Sequence, residues 1–153
     1  MSVEKYYNSI SKGYGNLYEE EQKQKIETIL NIVDIKGKVL DVGCGTCLLA
    51  NYIEDYTGVD VSSKFVEHCK KKGLNVIKAD AKNLPFKDKE FDWVVSITVL
   101  QDIDEIEKAV KEMKRVGKKL CISVLKKGNV RKVRELLRGA KEYDIGKDIL
   151  FIK

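Results

Sequence analysis

The sequence predicts an α/β protein built on a doubly wound, mostly parallel sheet with helices on both faces. Three observations predict it. Short apolar runs alternate with stretches of helical periodicity from about residue 38 to residue 137, the pattern of strand–helix–strand units. The first apolar run, "KVLDV", is followed at once by the glycine-rich turn Gly43-Cys44-Gly45. The closing "KEYDIGKDILFIK" reads as two short strands joined near Gly146–Lys147, so an antiparallel C-terminal hairpin ends the sheet.

The elements follow in order. Ile26, Ile29, Leu30 and Val33 fall at i, i+3, i+4 and i+7, so Glu19 to Val33 is expected as an amphipathic helix. "IKGK" breaks it before the strand at 38–42. Thr46 is placed to cap a helix through about Glu54, and "YTGVDV" (56–61) is the second strand. Ser62 or Ser63 caps the next helix, which carries Phe65, Val66 and Cys69 on one face and ends at Gly73. "LNVIKAD" (74–80) is the third strand, and a polar loop holding Pro85 leads to the fourth, "FDWVVSITV" (91–99). That strand is nearly all apolar, as one covered on both faces is. Asp102 or Asp104 caps a helix bearing Ile103, Ile106, Val110 and Met113. "KKLCISVL" (118–125) is the fifth strand, and Val130, Val133, Leu136 and Leu137 mark the last helix. Right-handed crossovers between parallel strands place a ligand beyond the carboxyl ends of the central strands, where the glycine turn falls.

With 153 residues, 43% of them hydrophobic, the chain is long enough for one buried core and too apolar to be disordered. "MSVEKYYNSI" lacks the basic start and apolar run of a signal peptide. No apolar stretch reaches the roughly 18 residues of a membrane helix. The expectation is a cytoplasmic protein with no membrane partner, whose four cysteines stay reduced. The net charge of +5 is mild, yet Lys108 to Arg138 holds twelve Lys or Arg against only Glu112 and Glu135. This run reads first as the solvated outer faces of two helices and second as a phosphate-facing surface for nucleic acid.

"VLDVGCGTCLLA" (39–50) supports two readings. Cys44-Gly-Thr-Cys47 has the spacing of a redox pair or of half a metal site. A thioredoxin-like domain, however, does not normally surround its first strand with so many strand–helix alternations, and Pro85 lies in a polar loop. A structural zinc site takes four ligands, usually in paired clusters; beyond the pair there are only Cys69, Cys121 and His68, at scattered spacings. No metal is expected, with Cys69 and Cys121 read as small core residues and His68 as an exposed one. The glycine reading explains more. Gly43 turns the chain off the strand, Gly45 lets backbone approach a ligand, and Asp60, nineteen positions after Asp41, can accept both hydroxyls of a ribose. Leu48 replaces the third glycine of a pyrophosphate cradle, which favours a nucleoside without phosphates.

On "VLDVGCGTC", "GVDVS", "ADAKNLPFKDKEFDWVVSITVL" and "DILFIK" the chain resembles class I S-adenosylmethionine-dependent methyltransferases, in particular the type 11 group. The resemblance runs from about Tyr6 to Lys153. It implies a single Rossmann-like domain over 1–153, with 1–36 as an N-terminal lid segment and helix, 37–153 as the core, and seven strands in the order 3-2-1-4-5-7-6. It implies S-adenosylmethionine as cofactor and S-adenosylhomocysteine as product. Asp41, Gly43, Cys44 and Gly45 would surround the methionine part, with Asp60 and Val61 at the ribose, Asp80 and Ala81 at the adenine, and Ser96 lining the site. Tyr7 and Tyr14 are the implied contacts from the segment that folds over the cofactor. Cys47 stands where the family usually has glycine.

Methyl transfer from a sulfonium is an in-line displacement of an activated group, so the protein mainly positions the partners and excludes water. Thr98, Gln101 and Asp102 are the polar candidates on the acceptor side, and Lys126 and Lys127 leave strand five where they could meet an anionic acceptor. Gln101 stands where relatives often have histidine. "SITVLQD" lacks the Pro-Pro-aromatic run of enzymes that methylate planar amino groups, and the Cys-Pro of the cytosine-C5 class. The resemblance extends to methyltransferases of tRNA wobble uridines, some of which work with a small zinc-binding activator protein. It extends equally to those acting on quinones and other small molecules, so RNA and small-molecule acceptors both stay open. Two other readings stand beside it: a non-catalytic cofactor-binding subunit, and a nicotinamide-dependent oxidoreductase, which the missing third glycine argues against.

Overall fold

The computed structural model describes residues 4–6, 8 and 15–153. Helix α1 (Gly15–Ile32) leads into β1 (Lys38–Val42), β2 (Asp55–Asp60), α2 (Ser63–Lys71) and β3 (Val76–Lys78). Then come β4 (Phe91–Ile97), α3 (Ile106–Val116), β5 (Gly117–Leu125), α4 (Val130–Leu136), β6 (Lys141–Asp144) and β7 (Asp148–Ile152). The strands form one sheet in the order β3-β2-β1-β4-β5-β7-β6. Pairing is parallel from β3 across to β5, and β7 runs antiparallel to both β5 and β6. The expected sheet, strand order and hairpin are those observed.

Side chains that alternate along each strand divide between two cores. In β1, Val39 enters one core while Leu40 and Val42 enter the other; in β4, Trp93 and Val95 oppose Val94; in β5, Cys121 opposes Leu120 and Ile122. One core is closed by α3 and α4 through Ala109, Val110, Met113 and Val133. The other is closed by α1 and α2 through Ile26, Ile29, Val66 and Cys69. Leu40, Val94 and Ile122 are fully buried, each contributing about 1.5–3 kcal/mol of apolar burial.

Several expected boundaries and caps differ. The helix starts at Gly15 rather than Glu19. The third strand is only Val76–Lys78, because it is the sheet's edge and pairs on one side alone. After the glycine turn there is no α-helix capped by Thr46; a 3₁₀ turn spans Leu48–Tyr52, and Cys47 before it is left-handed at φ 62°. Neither Asp102 nor Asp104 caps α3. Glu105 precedes it at φ 49° with no side-chain cap, while Asp104 pairs with Lys82 and Asp102 lies in a 3₁₀ turn. Ser62 does cap α2, accepting from the Phe65 amide.

A buried polar knot ties α1 to the sheet. Thr98, just past β4, donates its hydroxyl to Asp148 Oδ2 at 2.6 Å, and Lys25 Nζ donates to Thr98 Oγ1 at 2.8 Å and to Asp148 Oδ1 at 3.3 Å. The Asp148 side chain is 0% exposed and that of Lys25 10%. Removing one member of such a pair strands the other charge away from water. Asp148→Ala is therefore expected to lower stability by about 3 kcal/mol, read as a shift of the urea midpoint, whereas Glu21→Ala, which breaks the exposed pair with Lys147, is expected to shift it little.

Candidate functional site

From β1 the chain steps outward to β2 and β3, then returns to the other side of β1 for β4 and β5. The connections after β1 and β4 therefore diverge, and a crevice opens at the strands' carboxyl ends. A cavity of about 620 Å³ lies there.

Its floor is the turn after β1. Gly43 has φ 75°, and a Cβ on it would sit 2.6 Å from both Val99 methyl carbons, so only glycine fits. Gly45 has φ 54° and open space where a Cβ would be, so its backbone is left bare to the cavity. The amides of Gly43 and Cys44 donate to the Val59 carbonyl at 2.9 and 3.0 Å. The Gly45 amide donates to Asp60 Oδ2 at 3.0 Å, and the Ser62 amide to Asp60 Oδ1 at 2.9 Å. A carboxylate has about four acceptor positions. One remains on each oxygen of Asp60, which suits the two vicinal hydroxyls of a ribose.

Asp41 lies beneath the turn, buried, and accepts the Tyr56 hydroxyl at 2.7 Å. Burial pushes its carboxyl up to about 7, against the pull of the Tyr56 hydrogen bond and with a smaller push from Cys47 and Asp60. A cation brought against Asp41 would favour the ionised form. A carboxylate for an ammonium, a carboxylate for a diol and a bared glycine between them fit an aminoacyl nucleoside such as S-adenosylmethionine.

The opposite end is built by the segment after β4. Thr98 is left-handed at φ 57°, a conformation that costs a β-branched residue about 1–2 kcal/mol and that the Lys25–Asp148 knot holds. Gln101 donates Nε2 to the Thr98 carbonyl at 2.6 Å, while its Oε1 is buried with no partner among the described residues.

The cavity wall carries Asp41, Gly43, Cys44, Gly45, Asp60 and Val61 on one side, with Asp80 and Ala81 beyond them, and Thr98, Gln101 and Asp102 on the other. Ser96 is fully buried and is not on the wall. Lys126 and Lys127 do not line it either; Lys126 leaves β5 toward Asp144 on the hairpin, 2.7 Å away. Tyr7 and Tyr14 lie outside the described residues. Part of the basic run pairs locally: Arg115 with Glu112 and Asp88, Lys118 with Asp92, Lys132 with Glu107 and Arg134 with Glu142.

Sequence reasoning missed Lys25, Tyr6 and Phe65, all on the wall. Tyr6 packs edge-on against Phe65, with centroids 5.4 Å apart. A signal for Lys25 existed, since it sits one turn before Ile29 on the apolar stripe. Cys69 is the small core residue expected, fully buried. It comes from a separate element, yet its sulfur and those of Cys44 and Cys47 all lie within 4.8 Å of one another. Hydrogen bonds from Cys44 and then Cys47 draw the Cys69 thiol well below its ordinary range, while the same contacts and burial push Cys44 up. Among the described residues no helix is long and apolar enough to cross a membrane.

This fold and crevice define an α/β nucleoside-cofactor protein, and comparison with known proteins makes the class specific. A family model described as "Methyltransferase domain" matches residues 40–124. MJ1123, an uncharacterized protein of Methanocaldococcus jannaschii, is 32% identical over 125 residues, covering 78% of this chain and 60% of that protein. The chain thus spans about three fifths of that relative's length. A SAM-dependent methyltransferase from Thermotoga maritima superposes with a TM-score of 0.79 at 19% identity, covering 97% of this chain and 95% of the other. A chain from the complex between the Haloferax volcanii Trm112 methyltransferase activator and a methyltransferase gives 0.77 at 15% identity, covering 96% of each. The chain belongs to the methyltransferase domain family, whose cofactor is S-adenosylmethionine.

Asp41 makes stability depend on pH. Its folded pKa of about 7 lies above the roughly 3.9 of an unfolded Asp. The stabilisation it gives when protonated is complete below about pH 4 and is lost as pH rises through about 7. Asp41→Asn is expected to flatten that part of the curve of urea stability against pH, relative to the parent protein.

Proposed function

We propose that this chain transfers a methyl group from S-adenosylmethionine to a small-molecule acceptor that enters at the carboxyl end of β4. One observation carries the reading: a single cavity is lined by Asp41, Gly45 and Asp60 at one end and by Thr98, Gln101 and Asp102 at the other. The cofactor supplies a methyl group already activated on sulfur. Asp60 binds the ribose hydroxyls, Asp41 meets the ammonium, and Gly45 lets the backbone lie against the ligand. Gln101 accepts a hydrogen bond from the acceptor and orients its nucleophilic atom. The Lys25–Thr98–Asp148 knot fixes the strained segment that carries Gln101. Tyr6 and Phe65 help keep water out. No strong base is required of the protein, because positioning supplies most of the rate.

A small acceptor is favoured over RNA because no Lys or Arg of the basic run lines the cavity and part of that run is paired locally. A protein partner is proposed on one ground, the likeness of fold to a chain crystallised in a complex with the Trm112 activator.

Methyl-labelled S-adenosylmethionine incubated with cell extract, then fractionated into RNA, protein and small molecules, tests the reading. Label is expected in the small-molecule fraction. Label in RNA would overturn the acceptor class, and no label in any fraction would overturn the activity. Gln101→Leu is expected to lower kcat/KM about tenfold to a hundredfold, as the loss of one buried hydrogen bond to a ligand does. By calorimetry it should leave S-adenosylhomocysteine binding unchanged.

A further inference from the structure

The cysteine cluster lies beside the cofactor turn and is not used by the proposed transfer. Cys44 and Cys47 flank Gly45 in the turn, and Cys69 reaches them from α2. All three are buried, at 8%, 2% and 0% exposure. Their sulfurs are within 4.8 Å of one another. Three thiolates around one ion at about 2.3 Å would stand about 4 Å apart, so the cluster closes on a metal with only a small contraction.

The backbone shows that the convergence is held in place. Cys47 has φ 62°, a left-handed conformation that disfavours any residue with a Cβ by about 1–2 kcal/mol. In that conformation its sulfur lies within 4.8 Å of the other two. Cys69 Sγ lies 3.2 Å from the Gly45 carbonyl oxygen and Cys47 Sγ 3.8 Å from it. The fourth cysteine, Cys121, is fully buried and stands outside the cluster.

We propose that Cys44, Cys47 and Cys69 form a three-thiolate site for a soft d¹⁰ metal ion, with Cu(I) as the ion they match best. Thiolates select soft ions. Structural zinc is almost always four-coordinate, and among the described residues no fourth His, Cys or carboxylate joins the group. Binding replaces the thiol protons with the metal, so it releases protons and tightens as pH rises. The ion would clasp the cofactor turn to α2. The site is independent of the acceptor reading.

The test is an anaerobic titration of the fully reduced protein with Cu(I) against a chromophoric Cu(I) chelator, and a parallel titration with Zn(II) against a zinc indicator. One equivalent of Cu(I) is expected to bind with a thiolate-to-metal absorption band. Cys47→Gly suits the left-handed backbone and so keeps the fold; it should weaken Cu(I) binding at least a hundredfold and remove the band. Cys121→Ser should retain both. Failure of the parent to outcompete the chelator, or equal binding by Cys47→Gly, would overturn the site. Tighter Zn(II) than Cu(I) binding would overturn the choice of Cu(I).

Discussion

The carboxylate of Asp60 is the fastening on which the glycine turn of the cavity depends. It sits at the end of β2 and takes the Gly45 amide on one oxygen and the Ser62 amide on the other. One side chain thereby joins the loop leaving β1 to the loop leaving β2. Gly45 needs this, because its φ of 54° and the open space beside it give it no packing of its own. The same carboxylate keeps an acceptor position on each oxygen, so under the proposed function the group that shapes the turn would also read the ribose diol.

The rest of the fold serves to bring that fastening opposite Gln101. Reversal of strand order at β1 and β4 opens the crevice, and two cores, one on each sheet face, hold the strand ends rigid around it. Backbone strain gathers at the same edge. Cys47 and Thr98, both left-handed, stand just past β1 and β4. Each is held by side-chain contacts: Cys47 by its sulfur neighbours, Thr98 by Lys25 and Asp148. Strain of this kind persists where surrounding contacts over-determine it, and it concentrates at functional sites.

Much of this was legible in the sequence, for identifiable reasons. Alternation along "FDWVVSI" and the glycines after "KVLDV" report backbone pairing and turn geometry directly, so strands and the site's location could be read. Asp41, next to last in β1, and Asp60, last in β2, could be located on the cavity wall because the pattern already fixes those strands. The rest depended on long-range packing. The left-handed Cys47 that turned an expected α-helix into a 3₁₀ turn leaves no periodic signature. Lys25 meets Thr98 and Asp148 only after the sheet closes, across 73 and 123 positions of sequence. Cys69 looked isolated because spacing along a chain says nothing about which helix folds over which loop. Ser96 was placed at the site from its position near the strand's end, yet the cavity starts only after it.

The most direct measurement of the central claim is calorimetric binding of S-adenosylhomocysteine and of its 2′,3′-dideoxy analogue to the parent protein and to Asp60→Asn. If Asp60 reads the ribose, the analogue binds the parent about tenfold or more weakly, as expected for hydrogen bonds to a charged acceptor, and the variant discriminates much less. Equal discrimination by both proteins would contradict the account and place the nucleoside elsewhere in the crevice.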